Sequence, residues 1–177
     1  MAVIEAIKTV YLEADATSIT FSSIPSSYEH LQLRASPKDS GTGNYSVVYG
    51  QFNSDGGTNY THQFIYGYNT TMAGNSDTGA ANWRAYTINA SDLDPPVPEQ
   101  AFGGMVVDIM DYANTNKNTS WMYHGGGLVS TSGSLNYFVG VGGGVWDNTA
   151  AVDTIIYGAQ GAPLRRGTAV TLYGIEG

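Results

Sequence analysis

Residues 18–36, SITFSSIPSSYEHLQLRAS, constrain the fold more than any other stretch, because two alternating runs are joined there by a turn with a proline inside it. Ile19 and Phe21 fall on one face, Leu31, Leu33 and Ala35 do the same after the turn, and Thr20, Gln32 and Arg34 point away. A period of two in the apolar side chains marks half-buried strands of an antiparallel sheet. The pattern recurs at residues 60–68, YTHQFIYGY, where Tyr60, His62, Phe64, Tyr66 and Tyr68 share one side in a nearly all-aromatic stripe. No segment sustains a helical period.

Taken in order, the chain predicts strands over residues 6–12, 18–22, 31–35, 45–52, 60–68, 83–90, 103–112, 119–128, 135–145, 152–157 and 169–175, about ten strands at the spacing of a sandwich or barrel. Residues 103–112 and 119–128 read as a hairpin. Residues 37–44 and 53–59 are turn chemistry, and residues 69–82, rich in Gly, Asn, Thr and Ser, read as a long exposed loop. Residues 92–100, DLDPPVPEQ, hold three prolines and cannot pair within a sheet. They are read as a crossover within one sandwich rather than a boundary between two domains, since each half would have only about 90 residues and the same strand pattern. The expected fold is therefore one domain over residues 1–177, an all-β antiparallel β-sandwich of jelly-roll type. The glycine clusters 125–127 and 142–144 lie in or beside strands, where glycine marks a bulge or the close approach of another backbone. Support of such weak strands by a neighbouring subunit is the other reading.

Composition narrows the function. A chain of 177 residues buries roughly 70% of the surface its unfolded form exposes, so a core suffices without staples. With no cysteine there is neither a disulfide framework nor a thiolate site or nucleophile. The net charge is −8, and of the seven Lys and Arg only Arg165 and Arg166 stand together, which argues against nucleic acid as a partner. The first dozen residues carry Glu5 and Lys8 inside their apolar stretch and do not read as a secretory signal, and no apolar run reaches the length of a membrane span.

Candidate chemistry is thin. His30, His62 and His124 could each serve a hydrolase with one of many serines and aspartates, but no nucleophile elbow, zinc helix or phosphate loop accompanies them, and the GVGGGV run at 140–145 sits in strand context. Asp92 with Asp94 fall in the proline loop, and Asp108 with Asp111 at a strand end would face opposite sides, so neither makes the facing carboxylate pair of a glycosidase. The loop Asn53, Ser54, Asp55, Gly56 and Gly57 has oxygen ligands and a turn glycine in the manner of a calcium loop, without the remaining carboxylates, and is read as a plain turn. Trp83, Trp121 and Trp146 could form a sugar-stacking platform or core and interface aromatics, and the sequence favours the core. These readings give no catalytic residue, no metal ligand and no cofactor.

Four stretches carry a resemblance: residues 19–36 (ITFSSIPSSYEHLQLRAS), 52–60 (FNSDGGTNY), 108–117 (DIMDYANTNK) and 169–175 (AVTLYGI). Together they look like a family of small virion proteins of tailed bacteriophages, chiefly of aquatic hosts. That resemblance implies a β-sandwich made in the host cytoplasm that assembles on the particle through main-chain and aromatic contacts and performs no catalysis. The resemblance fits capsid decoration and tail-fibre proteins alike; the reading favoured is a capsid decoration or cement protein on the head exterior, with the major capsid protein as partner and, from glycine-rich strands weak alone and an apolar, lightly charged face, a homotrimer as its form. The strand pattern, running from Ala6 to Ile175, leaves on this reading no shaft of the kind a fibre needs. The alternative role is a tail-fibre or receptor- and carbohydrate-binding domain.

Overall fold

The computed structural model describes residues 3–41, 46–88, 101–131 and 134–177, and among these it contains twelve strands and no helix. They are β1 (Ile4–Tyr11), β2 (Ser18–Phe21), β3 (His30–Ser36), β4 (Ser46–Phe52), β5 (Tyr60–Tyr68), β6 (Thr71–Ala80), β7 (Trp83–Ile88), β8 (Gly104–Met110), β9 (Thr119–Thr131), β10 (Ser134–Trp146), β11 (Ile155–Ala159) and β12 (Ala169–Ile175). An eight-stranded sheet runs β1-β12-β3-β8-β9-β10-β5-β6 and a four-stranded sheet runs β2-β11-β4-β7. Every pairing is antiparallel. The antiparallel β-sandwich expected from the alternation is the architecture observed.

Eight strands form a two-layer frame through which the chain alternates. β1, β3, β8 and β12 lie in the large sheet, and β2, β4, β7 and β11 in the small one. The other four strands arrive as two inserted hairpins, β5-β6 after β4 and β9-β10 after β8, and both extend the large sheet beyond β8. Strands from either side of residues 89–100 are neighbours in both sheets, β3 with β8 and β12, and β11 with β2 and β4. The proline crossing at 92–100 lies outside the described residues.

The opening pair of strands does not close a hairpin. β2 pairs with β11 and β3 with β12 and β8, so the proline turn carries the chain from one sheet to the other. It is pinned on the way by Ile24 N–H to Asp153 O (3.0 Å) and Glu29 N–H to Ile175 O (2.9 Å). The facing predicted for the side chains holds, because Ile19, Phe21, Leu31, Leu33 and Ala35 are all buried in the one core between the layers.

That core is dominated by rings. Trp83 and Trp121 lie 5.5 Å apart between centroids, Phe52 meets Trp146 edge-on at 5.6 Å, and Tyr60 stacks on Trp146 at 6.3 Å. Each such ring removes roughly 150–250 Å² from water, worth several kcal/mol at about 25 cal/mol/Å². The Tyr60 hydroxyl is satisfied inside the layer by the Phe52 N–H at 2.8 Å. Space for the rings comes from glycine. A Cβ at Gly50 would sit 2.1 Å from the Trp83 ring, one at Gly142 2.7 Å from the Tyr123 ring, and one at Gly144 2.9 Å from Trp121 and 2.1 Å from Thr61 O. The 142–144 cluster is therefore no bulge: β9 and β10 pair through it without a register shift, and the glycines admit neighbouring side chains.

The stretch 69–82, expected to be a loop, is mostly the edge strand β6. The chain reverses at Asn69, which takes φ 53°, and then pairs with β5 from Tyr68–Thr71 to Tyr60–Ala80. The polar, glycine-rich sequence carries no strand signal because an edge strand buries little. What makes it a strand is the demand of the β5 backbone for partners. The strand predicted over 152–157 begins later, at Ile155.

Gly144→Ala is expected to cost about 2 kcal/mol, the usual overpacking penalty, whereas Gly104→Ala, with nothing within 4 Å of the added methyl, is expected to change stability by less than about 0.5 kcal/mol. Urea unfolding midpoints check the pair, and equal midpoints would contradict the packing described.

Candidate interaction surface

The sequence-predicted chemistry scatters. His30 sits at the start of β3, where its Nδ1 accepts the Asp111 N–H at 3.1 Å. Asp111, at φ 48° in the turn after β8, holds the Lys117 ammonium, and that hydrogen bond keeps its carboxyl below the usual carboxylate range. Glu29 lies 3.9 Å from His30 Nε2. Glu29, His30 and Asp111 thus converge as potential metal ligands, but His30 Nδ1 and Asp111 already serve protein donors. Asp108 is elsewhere, on the outer face of β8, accepting Gln32 Nε2 at 2.6 Å. Asp92 and Asp94 lie outside the described residues. His124 is exposed on β9. Trp83, Trp121 and Trp146 are buried in the core, as the sequence favoured.

The calcium-like loop is closed by its own carboxylate. Gly57 N–H donates to Asp55 Oδ1 at 2.8 Å, and Asn59 Nδ2 and Trp146 Nε1 donate to Oδ2 at 2.8 and 2.7 Å. The bonds from Asn59, Trp146 and Gly57 hold the Asp55 carboxyl below its ordinary range. Both oxygens are spent tying the loop to the ring layer, so Asp55 is a structural clamp here.

His62 is the buried titratable group in the ring layer. It stacks on Phe64 (6.1 Å) and leans on Trp121 (6.2 Å), and its Nδ1 has no hydrogen-bond partner. Burial, with the Arg84 charge second, pushes its pKa down, against an opposing pull from Asp77. Arg84 and Asp77 are themselves paired at 3.6 Å.

The surface feature that stands out is the outer face of the large sheet, which divides in two. Across β1, β12, β3 and β8 it is polar and cross-linked: Thr9 bonds Thr171 at 3.0 Å, Arg34 Nε donates to Gln32 Oε1 at 2.7 Å, Gln32 reaches Asp108, and Arg34 lies over the Tyr173 ring at 5.0 Å. Across the inserted strands it is mainly apolar, with exposed Thr61, Gln63, Ser76, Ser120 and His124 on the same face. Ile65, Met72, Met122, Leu135, Tyr137, Val139, Val141 and Val145 are all exposed, Met72 at 73% and Tyr137 at 63%. β5, β6, β9 and β10 together carry a single charged side chain, Asp77, which pairs in register with inward-facing His62. Ile65, Met72, Val139 and Val141 rim a shallow hollow of about 180 Å³, with Gly67 beneath the Met72 thioether.

Taken by exposed fraction, these eight residues together present on the order of 800 Å², comparable with one partner's share of a standard interface. Beside them β6 ends the sheet, and among the described residues its outer backbone edge has no strand partner and bears no Lys or Pro to block pairing. Sequence reasoning does not locate this face, because β6 carries no strand signal of its own. Compared with known protein families, curated proteins and solved structures, the chain matches none.

Two of the perturbed acid–base groups, His62 and Asp55, weaken the fold in acid. An imidazole with a lowered folded pKa binds its proton more readily when unfolded, so stability is complete above about pH 6.5 and falls below it. Asp55, also lowered, contributes fully above about pH 4 and loses its share as pH falls further. His62→Phe is expected to flatten the melting temperature between pH 6.5 and 5, and Asp55→Ala to lower stability by about 2 kcal/mol at pH 7. Thermal unfolding across pH checks both, and an unchanged profile for His62→Phe would count against its burial as a neutral ring.

Proposed function

We propose that this chain is a structural, non-catalytic virion protein, a decoration or cement protein on the outer surface of a tailed-phage head, working as a homotrimer on the major capsid protein. One observation carries the reading: an apolar, essentially uncharged sheet extension of interface size lying next to an open strand edge. These two surfaces differ in kind. A two-fold pairing needs one self-complementary patch, whereas a closed ring needs two different patches meeting head to tail. A trimer sets the inserted hairpins of neighbouring copies against one another in a ring, covering the apolar face and giving the β6 edge backbone partners on the next copy.

The strand order supports the same assignment. With the two hairpins set aside, β1-β12-β3-β8 and β2-β11-β4-β7 alternate as the two sheets of a jelly-roll wind, an architecture used by capsid proteins and by lectins alike. The hairpins are then additions to a capsid-type frame. The acidic surface stays outward, and many weak contacts repeated over a shell add through multivalency.

Light scattering after size exclusion is expected to give three times the 18.8 kDa chain mass, and Ile65→Asp with Val139→Asp to give the monomer with the fold intact by circular dichroism. In purified particles the protein is expected at copy numbers on the scale of the major capsid protein. A few copies at the tail would decide for the fibre role instead.

A further inference from the structure

On the opposite side of the sandwich, the outer face of the small sheet carries a cleft of about 440 Å³, within the range of small-molecule sites. Its wall is the segment after β11 and its floor includes Tyr49 of β4. Tyr49 pairs in register with Gly158, and its ring lies so close over that glycine that a Cβ there would be 2.7 Å from it. The ring is thereby laid down along the sheet and remains partly exposed. Thr17, Asn82 and Gln160 supply hydrogen-bonding groups around it, and no charged side chain lines the cleft.

These groups are held yet unspent. Arg84 Nε, its guanidinium braced by Asp77, donates to Asn82 Oδ1 at 3.2 Å, which leaves the Asn82 NH₂ available. Among the described residues the Thr17 and Tyr49 hydroxyls and the Gln160 carboxamide have no hydrogen-bond partner. The wall itself is fixed. Gln160 N–H bonds Val47 O (2.8 Å), Ser40 N–H bonds Pro163 O (3.0 Å), and Leu164 exchanges both backbone bonds with Ala16. Gly161 turns the wall at φ 91°.

We propose that this cleft binds a neutral saccharide. A sugar offers an apolar face of C–H groups for the Tyr49 ring, and hydroxyls that both donate and accept for two carboxamides and two hydroxyls. The one cation beside the cleft, Arg84, in register with Tyr49, is already taken up by Asp77 and Asn82, so phosphates and carboxylates find no uncompensated charge there, within a chain of net charge −8. The wall is preformed, so binding incurs little loop-ordering cost. The site is independent of the assembly reading. It faces away from the apolar half of the large sheet, so burial of that half in an oligomer leaves the cleft open.

The test is titration of the intact protein with neutral trioses of glucose, mannose and N-acetylglucosamine, followed by calorimetry and by protein-observed NMR. Saturable binding of at least one triose, with a Kd on the order of 1 mM or tighter, is expected. Tyr49→Ala and, separately, Gln160→Ala on the exposed wall should each weaken it at least tenfold, with Tyr137→Ala on the other face unchanged. The pair matters because Gln160→Ala leaves the packing of Tyr49 on Gly158 intact. No binding of any triose at 10 mM, or binding that survives both cleft variants, overturns the proposal, as does binding of a free nucleoside with no response to sugars.

Discussion

Fitting aromatic rings against bare backbone is the constraint on which the rest of this structure depends. The rings of Tyr123 and Trp121 need more room than the spacing of two pleated strands allows, and the chain provides it by placing Gly142 and Gly144 at inward positions of β10. A methyl at either would collide with a ring or a carbonyl. The consequence runs outward. With glycine at 140, 142 and 144 facing in, the large side chains of that part of β10 are those at 139, 141 and 145, and they face out. The usual arrangement of a half-buried strand is inverted there. The core of the hairpin extension is filled by its neighbours, and its own apolar residues are left on the surface.

This explains why one sheet has two outer faces of opposite character. The frame strands follow the ordinary rule, apolar in and polar out, and their outer side is knitted by Arg34, Gln32 and Asp108. The inserted strands break the rule over much of their outer face, which leaves their large apolar side chains exposed. The open β6 edge lies in the same place. The exposed apolar residues and the β6 edge are thus concentrated in the hairpins, while the frame carries the fold and, on its small sheet, the Tyr49 cleft.

Much of the frame was legible because its signals are local. The alternation at Ile19–Phe21 and Leu31–Ala35, the ring stripe of β5, and the run Ala169–Ile175 each state their own facing, and the three tryptophans followed the composition into the core. Sheet membership was not legible, since nothing within residues 18–36 distinguishes a hairpin from a crossing between layers. That is decided by β11 and β12, more than a hundred residues away. β6 was missed because its strand character belongs to the backbone of β5 rather than to its own side chains. The Asp55 loop reads as a plain turn, but that its carboxylate is held by Trp146 depends on a residue distant in sequence. The Tyr49 cleft was invisible for the same reason, being assembled from four separated segments.

Hydrogen exchange at β6 tests the central claim, that the inserted hairpins form the assembly surface. Amides of β6 that point away from β5 have no partner within the sheet, so in an isolated chain they exchange at near-solvent rates. Measured by mass spectrometry over a dilution series, residues 71–80 are expected to be protected at high protein concentration and to lose that protection on dilution, while β10, paired on both sides within the chain, stays constant together with β3 and β12. Exchange in β6 that is independent of concentration, both free and on particles, would contradict the account.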